Sequence, residues 1–210
     1  LLELSRHALE DAGLLPEHLA GSRTGVFVGA SSYDFREHTV AAGGADGYAT
    51  LGTFPTFLAN RISYHYDLTG PSITVDTACS ASLTALALAV AAIERGECET
   101  ALVGGVNLLG NGFNQDAFQQ AGMLSPQGLS RAFDAGADGY VRGEGAAWLV
   151  LKAHRHAEAD GDPLLAVVRS ATANHGGRAS GPTAPNPRAQ TALIREGLKQ
   201  AGLSGRDLGY

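Results

Sequence analysis

Three short runs decide what this chain can become. Residues 24–30 (TGVFVGA), Ser72–Val75 (SITV) and residues 99–109 (ETALVGGVNLL) carry apolar or small side chains at odd and even positions alike. A strand sends alternate side chains to opposite faces, so these runs present two apolar faces. Only a sheet covered on both sides can bury both. Gly145–Lys152 (GAAWLVLK) and residues 164–173 (LLAVVRSATA) read as further strands. Between them lie segments of helical character: residues 1–13, with Leu1, Leu4, Ala8 and Leu9 on one stripe and Gly13 as a stop; residues 54–66; residues 80–94; a charged helix at 153–160; and residues 189–201. Helices alternating with such strands predict a layered α/β fold.

Composition excludes several classes. A net charge of -6 gives no basic footprint for nucleic acid. No purely apolar run approaches the ~18 residues of a membrane helix. The opening LLELSRHALEDAG has no signal-peptide pattern. The longest apolar stretch, residues 85–93, reads as a buried core helix. Two cysteines cannot build a disulfide framework, and a reducing, cytoplasmic location fits them. The 28 glycines imply tight turns and close backbone approaches in a chain that is 44% hydrophobic.

Chemistry concentrates at Asp76-Thr77-Ala78-Cys79-Ser80, between a predicted strand and a predicted buried helix. A cysteine at such a turn lies at a helix N-terminus, where the macrodipole favours thiolate by about 0.3–1 kcal/mol when exposed and up to ~2 when partly buried. That is at most about 1.5 pKa units. The helix end therefore assists ionisation, and full activation needs a nearby histidine. The residues alone leave two readings level: a nucleophile, or a small buried apolar side chain.

VDTACSASL, residues 75–83, resembles the active-site cysteine signature of β-ketoacyl synthases, specifically those of modular polyketide synthases. The likeness extends through GTFPTFLANRISYHYDLTGPSITVDTACSASL (52–83), ETALVGGVNLL (99–109), AGMLSPQG (121–128), AFDAGADGYVRGEGAAWLVLK (132–152) and TAPNPRAQ (183–190), in the family's order and spacing.

This resemblance implies the thiolase-like layered α/β/α/β/α fold, incomplete here. Residues 1–152 correspond to the N-terminal half without its first strand, and 153–210 to a connecting helix and the start of the C-terminal half. It implies a decarboxylative Claisen condensation. Cys79 accepts an acyl group from the phosphopantetheine arm of an acyl carrier protein, and a malonyl-type unit on a carrier loses CO₂ and attacks that thioester. The Cys79 backbone N–H is the expected first oxyanion donor. No cofactor is expected to bind directly, because phosphopantetheine on the carrier delivers the substrates. Relatives are homodimers that pair the strand matched by Ser72–Val75 across a two-fold axis. Met123 matches a position lining the acyl pocket, with a plain core methionine as the competing reading.

The family's two histidines lie in segments resembling HGTGT and GTNAH, and neither string occurs. The stretch matched by 207–210 directly precedes the first. The chain is thus expected to stop short of its first catalytic histidine, and in isolation to be inactive. Its seven histidines are assigned structural or solvated roles: His7 and His18 in the helical opening, His38 in a polar loop, His65 near the core, His154 and His156 on a charged helix, and His175 where relatives carry glutamine. The i, i+2 spacing of His154 and His156 puts them on different helical faces, against a metal pair.

Cys98 is expected to be a structural thiol. Asp134, Asp138 and Glu144 are expected to hold a buried loop by hydrogen bonds rather than a cation. Gly143-Glu144-Gly145 is no dinucleotide fingerprint, and neither a P-loop nor a GxSxG elbow is present. Two alternatives remain: a thiolase-fold condensing enzyme using coenzyme A thioesters, and a non-catalytic ketosynthase-like scaffold.

Overall fold

The computed structural model describes residues 1–44 and 46–209. Its centre is a mixed sheet of strands β1 (Gly25–Ala30), β2 (Ser72–Val75), β3 (Thr100–Asn107) and β4 (Gly145–Lys152), in the order β2-β1-β3-β4. β1 runs parallel to both β2 and β3, with Phe27 opposite Ile73 and Val103. β4 closes the other side antiparallel to β3. Every residue of β1 is buried, as apolarity on both faces requires.

The helices are α1 (Leu2–Asp11), α2 (Pro16–Leu19), α3 (Asp34–Ala41), α4 (Ala49–Thr53), α5 (Thr56–His65), α6 (Ala81–Glu94), α7 (Phe113–Gln120), α8 (His154–Asp160) and α9 (Pro187–Ala201). α1 and α5 cover one face of the sheet, where Leu9, Val26, Val28, Ile62 and Leu102 form a core with Trp148 and Val150 against it. α6 covers the other, where Phe27, Val103 and Cys98 meet an alanine stripe at Ala85, Ala89 and Ala92. Complete burial of a side chain such as Phe27 contributes about 1.5–3 kcal/mol.

Three expectations are corrected. Residues 164–173 form no strand: a strand needs a ladder partner, and this segment finds none among the described residues. It lies beside α9 instead, where Arg169 donates to the Ala201 carbonyl and Ser170 to that of Gly197, and Leu165 stays 89% exposed. The 85–93 stretch is helical but buried on one face only, since the alanines recur every turn while Leu83 and Leu88 point outward. His38 belongs to α3, not to a loop.

Glycines set how closely the layers approach. A Cβ on Gly29 would lie 2.4 Å from the Ala81 carbonyl carbon, and one on Gly105 2.8 Å from the Ser82 Cβ. Without side chains there, the first turn of α6 lies directly on β1 and β3. On the opposite face Trp148 rests on Gly104, its partner in the β3–β4 ladder.

Candidate active site

A cleft of about 1070 Å³ opens where the carboxyl ends of β1, β2 and β3 meet the start of β4. Its walls include Asp76, Cys79, Asn107, Phe118, Arg142 and Leu149. Crevices outside the carboxyl ends of parallel strands are where open α/β sheets bind ligands.

Cys79 reaches this cleft on a sharp elbow. β2 ends at Val75, a 3₁₀ turn spans Ala78–Ser80, and α6 starts at Ala81. Ala78 sits at φ +53, a left-handed conformation that costs an L-residue about 1–2 kcal/mol. Two sets of hydrogen bonds hold it. Before the cysteine, Ala78 N–H donates to Asp76 Oδ1 at 2.9 Å. Across it, the Ser80 hydroxyl donates to the Thr77 carbonyl at 2.9 Å, and the Thr77 and Thr84 hydroxyls pair at 2.9 Å. The outcome is an exposed Cys79 thiol at the mouth of a 14-residue helix.

Cys98 is its opposite. It is 1% exposed, between α6 and β3, and burial pushes its thiol pKa up, with a smaller lowering from the Gly25 backbone. A buried thiol held protonated is a poor nucleophile.

Polar side chains beyond the strand ends tie the walls together. Asn107 accepts from the Ser32 hydroxyl at 2.6 Å and donates to the Gly143 carbonyl at 2.6 Å. Asp34, buried at the start of α3, accepts from the N–H groups of Gly110 and Asn111. His38 Nε2 lies 2.5 Å from the Gly110 carbonyl. These contacts fix the loop that leads into α7, which carries Asn114 and Phe118 to the cleft. Arg142 stacks 5.3 Å above Phe118, and its Nη1 is buried without a partner among the described residues.

The remaining sequence candidates fall as follows. Met123 is half-buried and does not line the cleft; its backbone joins Phe118 to Tyr140, both of which do. Asp134 accepts from Gly136 N–H, Asp138 from the Ser125 hydroxyl and Glu144 from Leu109 N–H, so all three serve loop geometry. The loop is exposed rather than buried. No cluster able to hold a metal occurs among the described residues. None of the seven histidines lines the Cys79 cleft among the described residues. His175 faces a separate small cavity with Asn174 and Asn186, and its Nδ1 accepts from Gly177 N–H. Sequence reading missed Ser32, Tyr33, Asp34 and Asn107, although each lies at or just past the carboxyl end of a parallel strand.

A mixed sheet with helices on both faces and an exposed cysteine on a strand–turn–helix elbow makes this an α/β domain with a candidate nucleophile at its strand ends. Two family models match the chain: "Beta-ketoacyl synthase, N-terminal domain" over residues 1–157 and "Beta-ketoacyl synthase, C-terminal domain" over residues 165–210. The chain belongs to the β-ketoacyl synthase family. It is 46% identical to the partially reducing polyketide synthase tpeA of Talaromyces stipitatus, and 47% identical to the polyketide synthase ThaG of Burkholderia thailandensis. Both matches cover all of this chain, but only 8% and 4% of those proteins. Among solved structures, the oxazolomycin ketosynthase domain OzmH KS7 of Streptomyces albus JA3453 superposes with a TM-score of 0.90 at 46% identity, covering 100% of this chain and 37% of that one. The ketosynthase from module 6 of the Bacillus subtilis bacillaene synthase gives a TM-score of 0.86 at 37% identity, covering 96% and 34%.

Proposed function

We propose that this chain is part of a ketosynthase that elongates polyketides, with Cys79 as the residue that carries the growing acyl chain. The observation behind this is the exposed Cys79 on a braced elbow, facing a cleft large enough for an acyl thioester. In the proposed reaction the Cys79 thiolate attacks the carbonyl carbon of an acyl thioester on the phosphopantetheine of an acyl carrier protein. The carrier thiolate leaves, and the acyl group stays on Cys79. A malonyl-type thioester then loses CO₂, and the electron pair left on its α-carbon attacks the Cys79 thioester. The Cys79 thiolate departs, and a β-ketoacyl chain longer by a two-carbon unit remains on the carrier. Covalent capture divides one difficult step into two easier ones.

Both tetrahedral intermediates place negative charge on the former carbonyl oxygen. Donors aimed at that point are worth about 10²–10³-fold in rate each. Backbone N–H groups at the elbow are suited to this role, with the Cys79 N–H the first of them. Decarboxylation needs further donors and acid–base groups at the cleft, and in this reading they come from outside these 210 residues. The enzyme is thus read as an acyltransferase of the 3-oxoacyl carrier-protein synthase type. It is proposed to act as a homodimer with acyl carrier protein as its partner, without a directly bound cofactor. Met123 is retained as a residue that shapes the acyl pocket, through the backbone bonds it makes to Phe118 and Tyr140.

The test is intact-mass spectrometry of the complete synthase after incubation with an acyl thioester. Cys79→Ala is expected to abolish the acyl adduct and Cys98→Ala to retain it. An adduct persisting in Cys79→Ala removes the assignment.

A further inference from the structure

Asp76 has no counterpart in the reaction steps, yet its carboxylate joins the elbow to the residue just past the end of β1. Its Oδ1 accepts the Ala78 N–H at 2.9 Å. Its Oδ2 accepts from the Tyr33 hydroxyl, 3.2 Å away. Tyr33 lies just past the end of β1, and the same hydroxyl is 3.1 Å from the Ala30 carbonyl, so one proton is shared between the two acceptors. Burial first, then the Asp76 charge and hydrogen bond, raise the Tyr33 pKa, which keeps the hydroxyl a donor. The residue gripped by Oδ1 is Ala78, the left-handed one, directly before Cys79.

We propose that Asp76 and Tyr33 form a clamp that holds Ala78 in its left-handed conformation and thereby aims the Cys79 thiol into the cleft. Asp76 is a positioning residue, acting through Ala78 rather than on the acyl group. The argument is one of conformational competition. An alanine relaxes from φ > 0 unless its surroundings over-determine it. The Ser80–Thr77 hydrogen bonds bracket Ala78 and Cys79, and the Thr77–Thr84 pair ties the elbow to α6, but none of them engages Ala78 itself. Among the described residues the Asp76–Ala78 bond is the side-chain hydrogen bond to the Ala78 backbone, and Tyr33 fixes the carboxylate that makes it. Asp76 itself is exposed, so its contribution to global stability is small while its local one is specific. Asparagine would preserve the clamp: its amide oxygen can accept from Ala78, and its NH₂ can donate to the Tyr33 oxygen, leaving the tyrosine proton to the Ala30 carbonyl.

This rests on Cys79 being the acyl carrier, and the experiment separates the two ideas. In the complete synthase, single-turnover acylation by acetyl-N-acetylcysteamine is followed by intact mass. Burial of Cys98 against iodoacetamide reports that each variant is folded. Displacement of a reacting atom by about 1 Å costs ~10²-fold, so Asp76→Ala is expected to slow maximal acylation on that order, with little change in the thioester concentration needed. Asp76→Asn is expected to recover most of the lost rate. Ala78→Gly added to Asp76→Ala is expected to recover part of it, because glycine adopts φ > 0 without strain. Tyr33→Phe, which keeps the Asp76–Ala78 bond and loses only the hydroxyl's bonds to Asp76 and the Ala30 carbonyl, is expected to slow acylation several-fold. The clamp is overturned if Asp76→Ala or Tyr33→Phe acylates at the parent rate, or if Asp76→Asn is as slow as Asp76→Ala. Acylation surviving in Cys79→Ala instead overturns the nucleophile assignment.

Discussion

Gly29 and Ala81 meet so closely that a side chain on Gly29 would overlap the backbone on which the elbow rests, its Cβ falling 2.4 Å from the Ala81 carbonyl carbon and from Ser82 N. The contact is backbone to backbone, so no rotamer change relieves it. Gly29→Ala must push α6 away from β1. Overpacking of this kind typically costs about 1–3 kcal/mol. The variant is expected to melt several degrees lower and to lose Cys79 acylation more than proportionately, because the displaced turn carries the cysteine. Gly205→Ala, where the added carbon meets nothing within 4 Å and which lies outside the cleft, is the control. Calorimetry and acyl loading of the complete synthase check both.

Selective alkylation follows from the two thiols' surroundings. Cys79 is exposed, whereas Cys98 is 1% exposed with its pKa raised by burial. Iodoacetamide under native conditions is expected to modify Cys79 alone, with Cys98 reacting only on denaturation. Peptide mapping with and without denaturant reads this directly. Native labelling of Cys98 at a comparable rate would contradict the packing of α6 on the sheet.

Much of this was legible in the sequence, for identifiable reasons. β2 and β4 were found at their observed ends because Gly70-Pro71 and Gly145 punctuate them and both runs are rich in β-branched or apolar residues. The elbow was found because DTACS separates a β-branched run from an alanine-rich one. Residues 164–173 misled: LLAVV has strand composition, but a strand exists only with a neighbour, and propensity carries no knowledge of one. α3 was missed because its amphipathicity is weak, and α3 and α7 are both short and polar, joined to each other through Asp34 and Asn114. The polar framework of the cleft was missed for a related reason. Ser32, Tyr33 and Asn107 look like ordinary loop residues until the sheet order brings the ends of β1, β2 and β3 side by side.

Among the described residues β2 is the edge of the sheet, with β1 on one side only. An edge strand offers its free backbone groups to a second copy. The Thr74 hydroxyl accepts from Ala59 N–H, so substitution there would also disturb α5. Ile73, 39% exposed, is the cleaner probe. If the complete synthase pairs through β2 across a two-fold axis, Ile73→Lys sets like charges near each other and shifts dimer towards monomer. Sedimentation at several concentrations measures this. An unchanged dimer would place the interface elsewhere.

Lys152 ends β4 and donates to Asp160 and, at 2.6 Å, to Asp162, joining the strand to the end of α8. The Lys152 hydrogen bond, and then its charge, hold the Asp160 carboxyl below the usual aspartate range. Burial works against the Lys152 charge, but its bonds to the two aspartates outweigh that and raise its pKa. A lowered carboxyl stabilises above its unfolded pKa of about 3.9 and is lost as pH falls through the folded value; a raised amine stabilises below about 10.4 and is lost as pH rises through its own. Hydrogen exchange of α8, corrected for intrinsic rates, is expected to show a plateau of protection between these limits. Lys152→Met should remove it. A Lys152→Met variant with the parent's pH dependence would show that α8 is held by packing alone.

The described chain should not condense substrates by itself. In the proposed reaction attack and decarboxylation need different groups; Cys79 is read as the first, and none of the seven histidines lines its cleft among the described residues. Absence of an acid–base partner or oxyanion donor costs about 10²–10⁴-fold each. The surface gives a second reason. The chain exposes 13709 Å² at 21.6 kDa, against roughly 9200 Å² for a folded monomer of that mass. Large apolar side chains contribute to it: Leu83 on α6, Leu149 on β4 and Leu165 beside α9 are 69%, 54% and 89% exposed. A polypeptide of these 210 residues alone is therefore expected to bind a hydrophobic dye such as anilinonaphthalene sulfonate and to unfold with low cooperativity. Supplied with acyl and malonyl carrier proteins it is expected to yield no β-ketoacyl product, while slow acylation of Cys79 by a reactive thioester persists because the elbow and helix end remain. Product formed at a rate near that of a complete synthase would show that the groups for decarboxylation already lie within these residues, and would require a different set of partners for Cys79.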